Sequence, residues 1–299
     1  MNQGWDYKNT VRPSDAGQTV LEFYCRFKHS STETWRSRIA AGLVSLNGQR
    51  TTPETRLGAH QKLVYHRPPW SEPRVPLELP ILYQDDELWV INKPAGLPVL
   101  PGGQFLEHTV LGQLRQQFPD RQLAPVHRLG RGTSGLLIVA CTSGGRAALS
   151  QQLRDRLMVK RYRALIEPGS VLNHFTITQP IGRCPYPQLG YLYCASPSGK
   201  PAESICTVLK RDRHATLVAV QITTGRPHQI RIHLAYYGYP LQGDPLYVVG
   251  GKPDPLWIEP AAVPSDCGYH LHAHQLEFLH PRSQMPLLVQ APVPKPLQD

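Results

Sequence analysis

The stretch PVHRLGRGTSGLLIVA, residues 125–140, gathers polar chemistry just ahead of an apolar run. It places an imidazole (His127), guanidiniums (Arg128 and Arg131) and hydroxyls (Thr133 and Ser134) within a glycine-broken segment. Guanidiniums held this way pair with phosphate or carbonyl oxygens, so the segment is built to bind a polar or anionic ligand. It contains no carboxylate and no thiol. The hydroxyls are weak candidates for nucleophiles, because the sequence sets no base beside them. They read instead as a turn that shapes the loop, with Gly135 permitting close approach of another chain segment. His127 reads as a loop-ordering residue. Metal chemistry has no anchor: none of the six cysteines lies in a Cys-x-x-Cys pair or beside a His at ligand spacing.

The elements around this loop suggest how it is positioned. GLLIVA (residues 135–140) is a β-leaning run, and SGGRAALSQQLRDRLM (143–158) is a helix with Ala147, Leu149 and Leu153 inward. VKRYRALIE, ESICTVLKR and HATLVAVQI read as strands, with Leu217, Val218 and Ile222 in the core. RPHQIRIHLAYYG is ambiguous, since its isoleucines favour a strand. Pro227 at a first helical position and Gly238 just past a helix end favour a helix over that segment. Strands and helices without regular alternation imply an α+β fold with a largely antiparallel sheet. RPPWSEPRVPLELP, residues 67–80, carries five prolines and reads as an extended linker between a small unit (1–66) and a large one (81–299).

In the small unit, TVLEFYCRFK sets Val20, Leu21, Tyr24 and Phe27 at helical spacing. SSTETWRSRIAAG opens on a capping box of Ser30 and Glu33 and closes at Gly42. LVSLNGQR is a strand entering an Asn-Gly turn, and HQKLVYH is a further strand. With AAGLVSLNGQ at its centre, this unit resembles the small alpha-L-type RNA-binding domain. The resemblance implies that Arg36, Arg38, Arg50 and Arg56 contact phosphates. The charge agrees: 32 Lys and Arg against 22 Asp and Glu give a formal net charge of +10, which favours a polyanionic partner. The start, MNQGWDYKNT, lacks the apolar core of a signal peptide, and no apolar run reaches membrane-spanning length. A cytoplasmic protein with reduced thiols and no membrane partner is the expectation.

Ordered along the chain stand ILYQDDELWVINKPAGLPV, PVHRLGRGTSGLLIVA, VKRYRAL, TTGRPHQIRIHLAYYGYPLQGDPLY and HLHAHQLEFLHP. Together they resemble the RluA-type RNA pseudouridine synthases over nearly the whole chain. That family cuts uracil from C1′ of a uridine in tRNA or rRNA, turns it over and rejoins it through C5, without cofactor or metal. The base must first leave its stack, which costs a few kcal/mol and calls for a basic groove. The resemblance implies that Tyr162 stacks on the target base and assists proton removal at C5. It implies that Arg231 pairs with a catalytic aspartate, and that Arg128 lies near the flipped base. Arg131, Thr133, Arg226 and His127 fall among its substrate-binding positions. The expected assembly is a monomer.

The chain departs from the family at one decisive place. Most members read H-R-L-D where this chain has His127, Arg128, Leu129 and Gly130, and that aspartate carries the reaction. The next position but one, commonly acidic, is Gly132. The HRLGRGTSG form is that of a subset found in plants and cyanobacteria. Three readings follow. The chain isomerises uridine with a displaced acid (Asp155, Asp212 and the turn-forming Asp244 are candidates), or it binds RNA as a chaperone without chemistry, or it retains a weak activity through base flipping and electrostatics. In the second, Arg231 loses its charge partner. Restoring an aspartate at 130 is expected to raise activity if the pocket is otherwise intact.

Overall fold

A computed structural model describes residues 1–27, 30–186, 189–254 and 266–299. The chain divides into two compact units: Met1–Glu72 with Pro185–Tyr191, and Pro73–Cys184 with Leu192–Asp299. The main division falls inside the proline-rich stretch, where no helix or strand forms between 68 and 80.

In the small unit, β1 (Trp5–Thr10), α1 (Val20–Cys25), α2 (Thr32–Ala40), β2 (Val44–Leu46), β3 (Gln49–Arg50) and β4 (Lys62–Arg67) follow in order. The strands form one antiparallel sheet in the order β1-β4-β2-β3. Asn47 and Gly48 both take positive φ in the β2–β3 turn, which is why an Asn-Gly pair closes it. Thr19 and Glu22 cap α1 reciprocally. The helix ends before Phe27, which is 37% exposed, and Lys28 lies outside the described residues. The cap of α2 is Ser31 rather than Ser30: the Ser31 hydroxyl accepts from the Thr34 amide, while Ser30 accepts from Arg38. Val20, Phe23, Trp35, Ile39, Val44 and Leu63 make the core.

The large unit contains β5 (Ile81–Gln84), β6 (Leu88–Lys93), α3 (Val110–Gln117), β7 (Ala124–Pro125), β8 (Ser134–Ala140), α4 (Ser143–Arg154) and β9 (Val159–Ile166). After them come β10 (His174–Ile177), the strands β11 (Ile181–Tyr186) and β12 (Gly190–Ala195), whose residues 185–186 and 190–191 fall in the small unit, and then β13 (Ser204–Arg211), β14 (Thr216–Ile222) and α5 (Gln229–Tyr236). The short pair β15 (Tyr247–Val248) and β16 (Lys252–Pro253), then β17 (Leu271–Leu279) and β18 (Pro286–Gln290), complete it. The main sheet runs β10-β13-β14-β9-β17-β8-β6-β5, with β18 added on β17 and β7 on β8. Its pairings are antiparallel except β17 with β8. The fold is therefore α+β with a mixed, largely antiparallel sheet.

That parallel contact explains Gly135. Its φ is +104°, and a β-carbon there would stand 2.2 Å from the Ala273 carbonyl oxygen. Only glycine lets β8 begin against β17, which fixes where the preceding loop, 126–133, emerges. In α4 the Thr142 hydroxyl caps the start and Leu149 is fully buried. Ala147, expected inward, is exposed, because the inward stripe runs through Gly145, Leu149 and Gln152. α5 is helical, as Gly238 indicated, and Gly238 follows its end at positive φ. Pro227 is not its first residue: His228, at φ 55°, is the cap, and Pro227 stands before it.

Candidate active site

The loop 126–133, strand β9, the turn 223–226 and helix α5 enclose a cavity of about 640 Å³ within the large unit. His127, Arg128, Gly130, Thr133, Tyr162, Arg226 and Arg231 all line it. Residues far apart in sequence thus meet in one concavity. β9 alternates strictly, so Lys160, Tyr162 and Ala164 share its buried face. β9 also sits between β14 and β17, with Tyr162 opposite Val220 and Ala273, so the phenol projects from a rigid central strand. Burial pushes the Tyr162 hydroxyl up to about 12, which keeps it protonated at neutral pH. In that state it supplies a flat face and a hydrogen-bonding tip.

Arg231 is fixed by Asp244. The Arg231 Nε donates to Oδ2 at 2.7 Å and Nη2 to Oδ1 at 2.8 Å, a bidentate fork with both side chains at most 2% exposed. Asp244 Oδ1 also accepts from the amides of Leu246 and Tyr247. The aspartate is therefore both turn-former and counter-ion. Without a carboxylate at 130 the guanidinium has not lost its charge partner, because GDPLY supplies one. This also removes Asp244 as a displaced acid, since it is sealed behind Arg231 and absent from the cavity lining. Asp155 is exposed at the end of α4, bonded to Gln151, and Asp212 is exposed and caps the 212–215 turn. Among the described residues, no Asp or Glu lines the cavity.

The loop itself is ordered from within. The His127 Nε2 accepts from the Ile138 amide at 3.1 Å, and burial pushes the ring down to about 3, so it is neutral and donates only through Nδ1. The Thr133 amide closes a turn onto the Gly130 carbonyl at 3.1 Å. Behind the loop, Lys93 is fully buried at the end of β6, and its ammonium donates to the carbonyls of Pro94, Leu97 and Arg131. Arg131, expected at the substrate, is turned away. Its Nε donates to Cys267 Sγ at 3.3 Å, its guanidinium lies over Phe105, and it does not line the cavity. Alternation around Gly130 and Gly132 sends Arg131 to the other side of the loop.

The sequence reading missed Lys160, Arg154, Arg156, His228 and Tyr269, all of which line the cavity. Lys160 was legible from its two-residue spacing to Tyr162. It is 8% exposed, has no hydrogen-bond or ion-pair partner among the described residues, and burial lowers its pKa. Its Nζ lies 3.6 Å from where a β-carbon on Gly225 would stand. A concavity whose described lining is cationic and free of carboxylates focuses positive potential on whatever enters.

The expected phosphate contacts of the small unit are differently placed. Arg36 pairs with Glu54 at 2.7 Å, and Arg56 donates to the Gly17 carbonyl at 2.7 Å. Arg38 donates to Ser30 and lies over the Trp35 and Tyr65 rings, and the Arg50 guanidinium packs over Gly42. Among the described residues no group of His, Cys, Asp and Glu could hold a metal ion, and no helix is long and apolar enough to cross a membrane.

The sequence pattern of the RNA pseudouridylate synthase family matches residues 87–236. The chain is 50% identical over 279 residues to an uncharacterised RNA pseudouridine synthase of Synechocystis sp., covering 93% of this chain and 95% of that one. It is 43% identical to RNA pseudouridine synthase 5 of Arabidopsis thaliana, over 93% and 89% of the two chains. It is 33% identical to ribosomal large subunit pseudouridine synthase D of Vibrio parahaemolyticus, over 96% and 90%. Among solved structures, human RNA pseudouridylate synthase domain containing 1 superposes with a TM-score of 0.58 at 25% identity, covering 76% of this chain and 89% of that one. The cavity, with its tyrosine on a central strand and its clamped arginine, therefore sits on a scaffold whose kinship is direct, and the chain belongs to the RNA pseudouridylate synthase family, as an isomerase of that class.

Proposed function

We propose that the chain isomerises uridine to pseudouridine in tRNA or rRNA, holding the extruded base in the cavity beside Tyr162. The observation that carries this reading is the convergence of Tyr162, Arg231 and the 127–133 loop on one concavity of about 640 Å³. Such a volume accepts a nucleoside, and Tyr162 offers its face for stacking. Arg128, Arg154, Arg156 and Arg226 take the flanking phosphates. Lys160, inside and without a counter-ion among the described residues, takes a uracil carbonyl or the nearest phosphate. The protein acts as a cytoplasmic monomer and needs no metal or cofactor. A second reading, RNA binding without isomerisation, is favoured by one observation: among the described residues, the cavity lining contains no Asp or Glu.

The test uses tRNA and rRNA tritiated at C5 of uridine, prepared from a strain lacking the gene. Tritium release above a boiled control is expected. Salt-dependent RNA binding without release from any pool selects the second reading, and absence of both sinks the two together.

A further inference from the structure

The space that a side chain at position 130 would enter is already bordered by two hydroxyls. A β-carbon on Gly130 would stand 3.1 Å from Tyr269 Oη and 3.4 Å from Thr133 Oγ1. The two oxygens are 3.3 Å apart, and each residue is 4% exposed. A β-carbon on Gly132 would press on the same ring, 2.9 Å from Tyr269 Cζ. Arg231 also lies against that ring, its guanidinium carbon 4.3 Å from the ring centre, and is itself clamped by Asp244. The phenol is thus bordered by two glycines and a fixed cation. Gly130 has no positive φ, so backbone strain does not demand glycine there. The phenol does.

We propose that Tyr269 and Thr133 form a ribose subsite, in which the paired hydroxyls receive the 2′-hydroxyl of the bound uridine at the place left open by Gly130. This rests on the synthase reading for the identity of the base but adds a group and a specificity. Each hydroxyl can both donate and accept, so after bonding to one another the pair still offers one donor and several lone pairs. A sugar 2′-hydroxyl, itself donor and acceptor, completes that arrangement, and it is the feature that separates RNA from DNA. Both residues line the cavity that Tyr162 and Lys160 also face. Tyr269 and Thr133 are positioning and specificity residues, and no covalent step is assigned to them. The expectation that an aspartate at 130 simply restores a site is revised accordingly: its β-carbon meets Tyr269 first.

The experiment titrates uridine 5′-monophosphate and 2′-deoxyuridine 5′-monophosphate into the full-length protein by calorimetry. Wild type is expected to bind the ribonucleotide about five-fold more tightly, the worth of roughly one neutral hydrogen bond. Tyr269→Phe and Thr133→Val should each move the ratio toward one while leaving deoxyribonucleotide affinity unchanged. Gly130→Ala should lower the melting temperature, and adding Tyr269→Phe should recover part of that loss. A wild-type ratio of one, or a ratio that survives in both hydroxyl variants, overturns the proposal. The tritium assay runs in parallel and keeps the two ideas apart. Tritium release with an unaltered nucleotide ratio removes the subsite and leaves the synthase. Loss of ribose preference in the variants, with no release by wild type, supports the subsite and removes the isomerase.

Discussion

The two units differ in one cation. In the small unit Arg36, Arg38 and Arg56 already spend donors on Glu54, Ser30 and the Gly17 carbonyl, and Arg50 is packed over Gly42. In the large unit Arg154, Arg226 and Arg231 likewise spend donors, on Gln151, the Pro201 carbonyl and Asp244, but Lys160 is buried at the cavity with no partner among the described residues. Net charge does not distinguish the two situations. A cation that has answered its own charge inside the fold offers less to a phosphate than one held waiting, because only the second arrives at binding with its reorganisation already complete.

The widest split is expected from Arg231→Met. It leaves Asp244 buried beside an apolar chain, and breaking a buried pair in this way costs about 3–5 kcal/mol. Urea unfolding of the full chain should lose a large share of the stability of the large unit. Arg36→Ala, at an exposed pair, should cost less than about 1 kcal/mol in the same measurement. Equal losses would erase the contrast between the units.

Acid comes next. His233 and His272 are buried and pushed down to about 4, chiefly by desolvation, and His127 and His228 are pushed to about 3 for the same reason. All four belong to the large unit. An unfolded histidine binds its proton near 6.5, so stability is full above that value and falls as pH drops from about 6.5 toward 4. For His233 the loss is roughly 2–3 kcal/mol over that interval. Urea midpoints at several pH values in this range should fall, and His233→Gln should flatten the fall.

Two smaller effects sharpen the comparison. Lys160→Met should weaken RNA binding by about ten-fold and reduce the salt slope by roughly one, without lowering the melting temperature, since it removes a buried charge that has no partner. Arg36→Ala should change RNA affinity by less than about three-fold, because Glu54 already holds that guanidinium. Glu54→Gln should then raise affinity slightly by releasing it. A large effect of Arg36→Ala beside a small one of Lys160→Met would reverse the assignment of roles.

Much of the architecture was legible because it rests on local rules. The Asn47–Gly48 turn, the alternation along β9 and the glycine after α5 each follow from backbone conformation or periodicity. What failed was decided by tertiary contacts. Ser31 rather than Ser30 caps α2, since Ser30 is taken by Arg38. Arg131 sits in the right motif and faces away, because consecutive residues of an extended loop point oppositely. Asp244 read as a plain turn residue, yet it is the counter-ion of Arg231 from thirteen residues away. Tyr269 gave no signal, since its importance depends on two glycines more than a hundred residues earlier. The motifs located the cavity; they did not reveal which neighbours fill it.

Lys93 carries one last implication. A single ammonium joins carbonyls from both sides of the wall behind the loop, and the Gly96 amide adds a bond to the same Arg131 oxygen. The ammonium has three hydrogens for three acceptors and the neutral amine only two, and burial lowers the Lys93 pKa to about 7, so the clasp is complete below that value and weakens as pH rises through it. Deprotonation leaves one of the carbonyls of Pro94, Leu97 and Arg131 without a donor from Lys93. The link between the 94–97 segment and the loop at Arg131 therefore follows the charge on one lysine and loosens in alkali.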